Sequence, residues 1–410
     1  MKKKSILLVT GLLILSLMGC TGAGTSSESA TDTSSQIESS QESTSESTEE
    51  ASSEAQATPA PTADPAEGKT LKDLFAEHGM KVGTCLTTNM ISRAMTNQII
   101  RTHFTSVTME NSMKPDATLS QKKSKESGKL TVSFNKDAIT MLDWAKENNL
   151  AMRGHTLVWY SQTPEWIFHE GFESKNEYVS REEMLARMEN MIKETFEQLT
   201  ELGYIDMFYA YDVVNEAWME NGSMRQNNWS KVIGDDYLWY AFYYADKYAP
   251  ESIDLYYNDY NEQFKTQTLI DFVNTLVDKD GNYLIDGVGF QAHLYTSDSL
   301  DQYFNTVDAV AATGLKVQLT ELDVCLGRYQ APLKATEENL VKQGNFYYDL
   351  INGLFERVDA GTLKMDALTF WGFSDGLSWR KEYSPLLYDS NLRPKYALYG
   401  ALQLKDAIGN

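Results

Sequence analysis

Between residues 81 and 370, short apolar segments alternate eight times with longer segments of helical periodicity. The predicted strands are 81–85, 105–109, 151–158, 207–214, 253–257, 287–290, 316–320 and 365–370. The predicted helices are 89–101, 136–148, 181–202, 236–247, 262–278, 299–312, 336–358 and 394–404. Because no break in composition divides this region, it predicts one α/β domain folded as a (β/α)8 barrel, the TIM barrel. Asn135, Ser180 and Asp235 directly precede helices and are predicted N-caps.

Polar and aromatic residues follow or end nearly every predicted strand. In a barrel of this kind the carboxyl ends of the strands meet at one mouth, where active sites form. These residues are Glu110, Asn111, His155, Trp159, Asn215, Glu216, Asn258, Gln291, His293, Glu321, Asp323 and Trp371. Amides and carboxylates bind hydroxyl groups, and indole faces pack against the C–H surfaces of sugar rings. The sequence therefore predicts a carbohydrate site at the mouth.

Two of these residues, Glu216 and Glu321, end the fourth and seventh predicted strands and can face each other across the mouth. Hydrolysis of a glycosidic bond needs two carboxyl groups, one to donate a proton and one to attack or to activate water. Asn215 can bind a sugar 2-hydroxyl, while His293 and Asp323 can orient the Glu321 carboxylate. We therefore predict a glycosidase, with the charge on Glu321 favouring the protonated form of Glu216.

Seven segments carry a resemblance to a known family. They are FTSVTMENSMKP (104–115), RGHTLVWY (153–160), YDVVNE (211–216), YNDYN (257–261), GFQAHL (289–294), TELD (320–323) and TFWGFSDGLSW (369–379). In this order, from about Leu71 to Leu404, the chain resembles a glycoside hydrolase family 10 endo-1,4-β-xylanase. The resemblance implies retaining hydrolysis of β-1,4-xylosidic bonds in xylan or xylo-oligosaccharides by double displacement, without a cofactor or a metal.

The resemblance also implies a role for each matching residue. Glu216 would be the acid/base and Glu321 the nucleophile, with carboxyl groups roughly 5 Å apart. Glu110, Asn111 and Lys114 would bind the xylose one unit beyond the cleavage point. The sugar at the cleavage point would be lined by His155, Trp159, Asn215, Gln291 and His293. Trp371 and Trp379 would close over the non-reducing side, and Asp323 and Asn258 would support the site.

Four positions depart from the family pattern. Tyr160 stands where histidine is common, Tyr211 where tryptophan is usual and Thr105 where asparagine is usual. Cys85 stands where the family commonly has a small residue. Because Tyr160 lies at the rim, its substitution bears on substrate contacts, whereas Tyr211 is a conservative packing change.

Two alternative functions remain open. A hydrolase of another β-1,4-glucan, such as cellulose, would share the carboxylate pair. A tight wall of Trp371 and Trp379 would reject the hydroxymethyl group of glucose. The discrimination that a pocket achieves against so small a group is modest. A non-catalytic carbohydrate-binding protein of the cell surface would share the aromatic rim. A binder has no need of both Glu216 and Glu321, which favours the enzyme.

The N-terminus predicts export. Lys2, Lys3 and Lys4 precede an uncharged apolar run, 6–18, which is shorter than the roughly 20 residues of a spanning helix. The run ends before Cys20, so residues 1–20 resemble a lipoprotein-type signal peptide with lipid attached to Cys20; an ordinary secretory signal is the alternative. We expect the protein on the extracellular face of the cell membrane, held only by this lipid, or otherwise secreted.

Residues 21–68 are rich in Ser, Thr, Ala and Glu, with ten acidic and no basic residues, and predict a disordered linker ahead of a catalytic domain at 69–410. The whole chain carries −22; the start contributes +3 and the linker −10, which leaves −15 for the domain. Such an acidic domain repels phosphate backbones, so we expect no nucleic-acid partner, and we expect a monomer. Cys85 and Cys325 could pair, but two free buried thiols are the commoner arrangement.

Overall fold

The computed structural model describes residues 64–409. The predicted signal peptide 1–20, Cys20 and residues 21–63 of the predicted linker lie outside the described residues. The last linker residues, 64–68, form a turn in which the Glu67 N–H donates to the Asp64 carbonyl over 2.9 Å. Ala66 packs against the core from this turn. Residues 64–68 of the predicted linker are therefore in contact with the domain.

Eight parallel strands form a closed barrel, which confirms the predicted (β/α)8 fold. They are β1 (Lys81–Leu86), β2 (Ser106–Met109), β3 (Ala151–Trp159), β4 (Phe208–Asn215), β5 (Asp254–Asp259), β6 (Gly287–Phe290), β7 (Lys316–Cys325) and β8 (Ala367–Phe370). Each strand pairs with its sequence neighbours, and β8 pairs with both β7 and β1. Since the strands are parallel and the ring is closed, the carboxyl ends of all eight strands face one mouth.

Eight helices surround the barrel, one after each strand. They are α1 (Ala94–His103), α2 (Lys136–Glu147), α3 (Arg181–Glu201), α4 (Tyr237–Tyr248), α5 (Thr266–Val273), α6 (Leu300–Ala311), α7 (Glu337–Asp359) and α8 (Tyr396–Ala401). Further α-helices span Leu71–Glu77, Thr88–Ser92, Pro115–Thr118, Gln121–Ser127, Asn228–Ile233 and Lys405–Ile408. Short 3-10 turns span Glu165–Phe168, Glu170–Phe172, Ile205–Met207, Glu262–Phe264, Asp375–Leu377 and Lys381–Tyr383. Within residues 64–409, none of the helices has the length and apolarity needed to cross a bilayer.

Two of the three predicted helix caps are confirmed. Asn135 accepts a hydrogen bond from the Ala138 N–H over 2.8 Å, and Ser180 caps α3 in the same way. The prediction for Asp235 is wrong, because α4 begins one residue later. Asp236 occupies the cap position, but its carboxylate makes no cap bond and instead pairs with Arg181.

Other elements also differ from prediction. The helix predicted at 89–101 is divided at Arg93, whose backbone is extended, into Thr88–Ser92 and α1. The helix predicted at 262–278 is only Thr266–Val273, because Asn261 has a φ of 52° and Lys265 leaves helical geometry, which separates a 3-10 turn from α5. The strand predicted to end at residue 320 continues to Cys325, where its last residues pair with a short strand, His293–Tyr295. Glu321 is therefore held inside a strand.

The centre of the barrel contains a buried polar network. Arg153 on β3 donates to Gln318 on β7 over 2.5 Å, and Gln318 donates to the Tyr256 hydroxyl over 2.9 Å. Gly154 lies so close to the Tyr211 ring that a Cβ there would come within 2.2 Å of it, so the tyrosine requires glycine at this position. This network and packing support the floor of the mouth.

Cys85 and Cys325 are both free and buried, as expected.

Candidate active site

One cleft of about 570 Å³ opens at the carboxyl ends of the strands. Twelve of the predicted site residues line it: Glu110, Asn111, Lys114, His155, Trp159, Asn215, Glu216, Gln291, His293, Glu321, Trp371 and Trp379. Asn258 and Asp323 lie behind this lining and are fully buried. The structure therefore brings all the predicted residues of the domain together, with two of them supporting the lining from below.

Glu216 follows β4 in an unusual backbone conformation, with a φ of 55°. A positive φ is energetically unfavourable for a residue other than glycine, so this conformation needs support from its surroundings. Its N–H donates to the Asn258 carbonyl over 2.9 Å, and its own carbonyl accepts from Arg225 Nε over 3.1 Å. Its carboxyl group accepts hydrogen bonds from two neutral amides, Gln291 at 2.9 Å and Asn215 at 3.3 Å.

Glu321 has a more strongly charged environment. Its Oε2 lies 3.3 Å from His293 Nε2, and its Oε1 accepts from Asn258 Nδ2 over 2.9 Å. Burial opposes ionisation of Glu321, but the hydrogen bond from His293, together with the nearby His155 and Lys114, outweighs it and lowers the pKa of Glu321 below its ordinary value. Glu321 is therefore held as a carboxylate.

His293 owes its charge to Asp323. Its Nδ1 lies 2.9 Å from Asp323 Oδ2, and Asp323 Oδ1 accepts from Arg380 over 2.7 Å. Burial disfavours the imidazolium, but Asp323 and Glu321 outweigh it and raise the pKa of His293 to about 9. At neutral pH the side chain is a cation that donates to both carboxylates.

An amide relay connects the two candidate catalytic glutamates. Asn258 donates to both Glu321 Oε1 and Asn215 Oδ1, the latter over 3.0 Å, while Asn215 donates to Glu216. Thr320 donates to Asn258 over 2.6 Å and thereby fixes the orientation of its amide. The spacing of the two carboxyl groups is thus set by side chains on β4, β5 and β7.

His155 and Lys114 are also held by specific partners. His155 Nδ1 lies 2.9 Å from Asp212, a fully buried carboxylate that also binds Arg153. Burial alone would raise the pKa of Asp212. Arg153 and His155 lower the pKa by more than burial raises it, so that Asp212 stays ionised. Lys114 donates to Asn111 over 3.2 Å and lies 4.9 Å from the centre of the Trp159 ring.

The two tryptophans differ in exposure. Trp371 is 5% exposed and packs against the core while it lines the cleft, whereas Trp379 is 59% exposed on the loop after β8. The ring of Trp379 meets His293 edge to face at 5.2 Å. Trp379 is thus an open stacking surface beside the candidate nucleophile, and Trp371 a rigid wall.

Several residues at the site were not among the predicted ones. Gln162, Tyr260, Asn261, Tyr295, Tyr329, Arg380, Glu382 and Tyr383 also line the cleft. Arg225 supports Glu216, and Asp212 and Arg153 support His155. Most of these residues lie on loops, where no periodicity marks them. Arg153, Asp212, Tyr260 and Asn261 fall inside quoted motifs, which was the only available signal.

Replacing Asp323 by Asn is expected to lower the pKa of His293 from about 9 and to destabilise the fold. The change leaves Arg380 buried without a counter-ion, a loss of about 3–5 kcal/mol in the free energy of unfolding. The pKa of His293 is raised in the folded state, so the protonated histidine stabilises the fold. This contribution to the free energy of unfolding is fully present below pH about 6.5 and is lost as the pH rises through about 9. Urea denaturation and NMR titration of the five histidines measure both effects.

Asp236→Asn is the matched control for this substitution. It removes the partner of Arg181 from a pair whose side chains are 51% and 37% exposed. Exposed pairs contribute less than about 1 kcal/mol. Equal losses of stability in the two variants, or an unchanged His293 titration in Asp323→Asn, would contradict the assigned role of Asp323.

The structure combines a closed parallel barrel with two supported carboxyl groups, which face a cleft of amides, imidazoles and indoles. This combination defines the glycoside hydrolase class of (β/α)8 proteins. The chain belongs to glycosyl hydrolase family 10, whose family model matches residues 70–404. This confirms the family resemblance read from the sequence.

Named relatives are similar over most of this chain. A bifunctional endo-1,4-beta-xylanase XylA of Ruminococcus flavefaciens is 36% identical over 338 residues, which are 80% of this chain and 33% of that protein. An endo-1,4-beta-xylanase A of Caldicellulosiruptor saccharolyticus is 31% identical over 82% of this chain and 94% of its own length. An exoglucanase XynX of Acetivibrio thermocellus is 33% identical over 76% of this chain. The chain spans about a third of the length of the first two relatives that it matches and about half of the third.

Solved structures show the same likeness. The CBM22-1–GH10 modules of a Clostridium thermocellum endo-1,4-beta-D-xylanase 10B, complexed with xylohexaose, match with a TM-score of 0.74 and 32% identity. That match covers 83% of this chain and 68% of the other. An endo-1,4-beta-xylanase of Caldicellulosiruptor owensensis matches with a TM-score of 0.70 and 32% identity, over 81% of this chain and 99% of the other.

Proposed function

We propose that the protein cleaves β-1,4-xylosidic bonds within xylan by double displacement, with retention of the anomeric configuration. The observation that carries this proposal is the contrast between the two glutamates. Glu321 is held as a carboxylate mainly by His293, whereas the Glu216 carboxyl contacts the neutral amides of Gln291 and Asn215. One group is thus suited to attack a carbon atom and the other to carry a proton.

In the first step a Glu321 oxygen attacks the anomeric carbon and forms a glycosyl ester. The bond from this carbon to the glycosidic oxygen breaks, and Glu216 gives its proton to that oxygen, so that the reducing-end fragment leaves as an alcohol. In the second step Glu216, now a carboxylate, takes a proton from water. The water oxygen bonds to the anomeric carbon, and Glu321 leaves as a carboxylate.

His293 and Asn258 serve Glu321 in both steps. Their hydrogen bonds point the carboxylate into the cleft and favour its charged form when it leaves the sugar. Asn215 receives a bond from Asn258 through its carbonyl, which aims its Nδ2 at Glu216 and toward the position of a sugar 2-hydroxyl. A contact to that hydroxyl strengthens in the transition state.

Xylan is proposed as the substrate because of the relatives and the wall of the cleft. The named relatives are mainly endo-1,4-beta-xylanases, and one related structure is complexed with xylohexaose. Xylose lacks the hydroxymethyl group of glucose, and the rigid Trp371 leaves little space beside His155, whose ring lies 5.6 Å away. A second substrate, a β-1,4-glucan, is favoured only by the likeness to the exoglucanase.

Incubation of the domain with xylan and with a soluble cellulose derivative tests the substrate. We expect release of reducing ends from xylan at a rate at least about tenfold above that from cellulose, since one missing group changes binding by about 1–3 kcal/mol. NMR of the first products from xylohexaose is expected to show the β-anomer. The proposal fails if xylan releases no reducing ends, and the retaining mechanism fails if the α-anomer appears first.

We also propose that the protein is held at the extracellular face of the cell membrane by lipid on Cys20. The basic start, the short apolar run and the acidic segment 21–63 support this. Activity is expected in the membrane fraction for the natural chain and in the soluble fraction for Cys20→Ser. Soluble activity from the unaltered chain would exclude the anchor.

A further inference from the structure

Tyr160, the rim residue that departs from the family pattern, lies beside the candidate acid/base. It directly follows β3 and is 41% exposed at the edge of the cleft. Its ring meets the Trp159 ring edge to face, with centres 6.0 Å apart. Its hydroxyl lies close to the Glu216 carboxyl group. Neither the predicted sugar contacts nor the proposed reaction gives this residue a role.

Arg225 connects Tyr160 to the backbone of Glu216. Its guanidinium lies over the Tyr160 ring, 4.3 Å from the ring centre. The same guanidinium donates through Nε to the Glu216 carbonyl over 3.1 Å and through Nη2 to the Tyr260 hydroxyl over 2.8 Å. Tyr160 therefore packs the arginine against the residue that must transfer the proton.

The backbone of Glu216 needs this support. Its φ of 55° is unfavourable for a residue with a side chain, so the conformation persists only where partners hold it. On one side Gln291 and Asn215 donate to the carboxyl group. Arg225 holds the carbonyl, and the Tyr160 ring packs against that arginine.

We propose that Tyr160 is a positioning residue for proton transfer, which orients the Glu216 carboxyl group through its hydroxyl and fixes the Glu216 backbone through Arg225. The inference rests on the proposed function, in which Glu216 is the acid/base. When Glu216 gives its proton to the leaving oxygen, the Tyr160 hydroxyl donates to the carboxylate that results. The tyrosine keeps its own proton throughout, so no further co-reactant is needed.

The tyrosine is suited to donate without ionising. Burial, followed by the charge of Glu216, raises the pKa of Tyr160 above its ordinary value, although Arg225 acts in the opposite direction. The hydroxyl therefore keeps its proton at neutral pH and remains a donor. A hydrogen bond to a charged group is strong enough to change the rate of the step in which that charge develops.

Kinetics of Tyr160→Phe on two kinds of substrate test the proposal. A xylo-oligosaccharide has a poor leaving group that requires a proton, whereas a 2,4-dinitrophenyl β-xylobioside has a leaving group that does not. We expect kcat/KM on xylotetraose to fall by about tenfold and kcat/KM on the dinitrophenyl substrate to stay within about twofold. Tyr160→His, which restores a hydrogen-bonding group, is expected to recover most of the activity on xylotetraose.

Tyr243→Phe is the matched control, because Tyr243 is 39% exposed on α4, outside the cleft. It is expected to leave both substrates unaffected. Equal losses of kcat/KM for Tyr160→Phe on both substrates, or no loss on either, would overturn the inference, provided that the wild-type protein cleaves xylan. If the wild-type protein fails to cleave xylan, the proposed function fails instead.

Discussion

Glu321→Gly is expected to lower kcat/KM on xylotetraose by on the order of 10⁴-fold or more, because the attacking group is lost. The glycine leaves a space next to His293, into which a small anion fits. Added azide is therefore expected to attack a dinitrophenyl xylobioside from that side and to yield the α-xylobiosyl azide. Steady-state kinetics and NMR of the product measure the two effects.

Glu321→Gln is the matched control for this result. It keeps the volume of the side chain but cannot attack, and it leaves no space for azide. We expect it to be as inactive as the glycine variant and to show no rescue. A β-configured azide from Glu321→Gly, or activity above about a hundredth of the wild type, would show that Glu321 is not the nucleophile.

Glu216→Ala is expected to separate the two steps of the reaction. Loss of the proton donor lowers kcat/KM on xylotetraose by about 10²–10⁴-fold, the usual contribution of general acid catalysis. The dinitrophenyl substrate still forms the glycosyl-enzyme, because its leaving group needs no proton. The intermediate then accumulates, and a rapid burst of dinitrophenol followed by a slow steady rate is expected in stopped-flow absorbance.

Azide again identifies the position of the missing group. With Glu216 absent, azide reaches the glycosyl-enzyme from the face opposite Glu321 and yields the β-xylobiosyl azide, the opposite anomer to that from Glu321→Gly. Gln291→Ala removes the 2.9 Å bond to Glu216 but keeps the carboxyl group, so it is expected to give a smaller loss and no azide product. The same anomer from both glutamate variants would contradict the assigned roles.

The architecture could be predicted because its signal is local and repeated. Each strand is an apolar segment flanked by helical periodicity, and eight repeats leave few alternatives to a barrel. Boundaries were less predictable where a distant partner sets them. β7 extends to Cys325 because the strand His293–Tyr295 pairs with its end. The sequence of residues 321–325 does not by itself predict this pairing.

The candidate site could be predicted for residues at strand ends and for residues inside family motifs, such as Lys114 and Trp379. Glu216 and Glu321 were placed by their position after predicted strands, and the structure brings both to one cleft. Arg225, Arg380 and Gln162 were missed, since they lie on loops that the fold returns to the mouth. Their distance from the glutamates depends on loop conformation, which has no periodic signal.

The sequence alone determined the barrel and the family resemblance and singled out the two candidate glutamates, because each depends on residue types at regular or motif spacings. The tertiary structure decided how the environments of the glutamates differ. Glu321 is an ionised group because Asp323 and Arg380, from separate segments, hold His293 charged beside it. Glu216 faces neutral amides and the Tyr160–Arg225 pair. Ionisation depends on burial and on charges a few ångströms away, and only the folded chain brings those charges together.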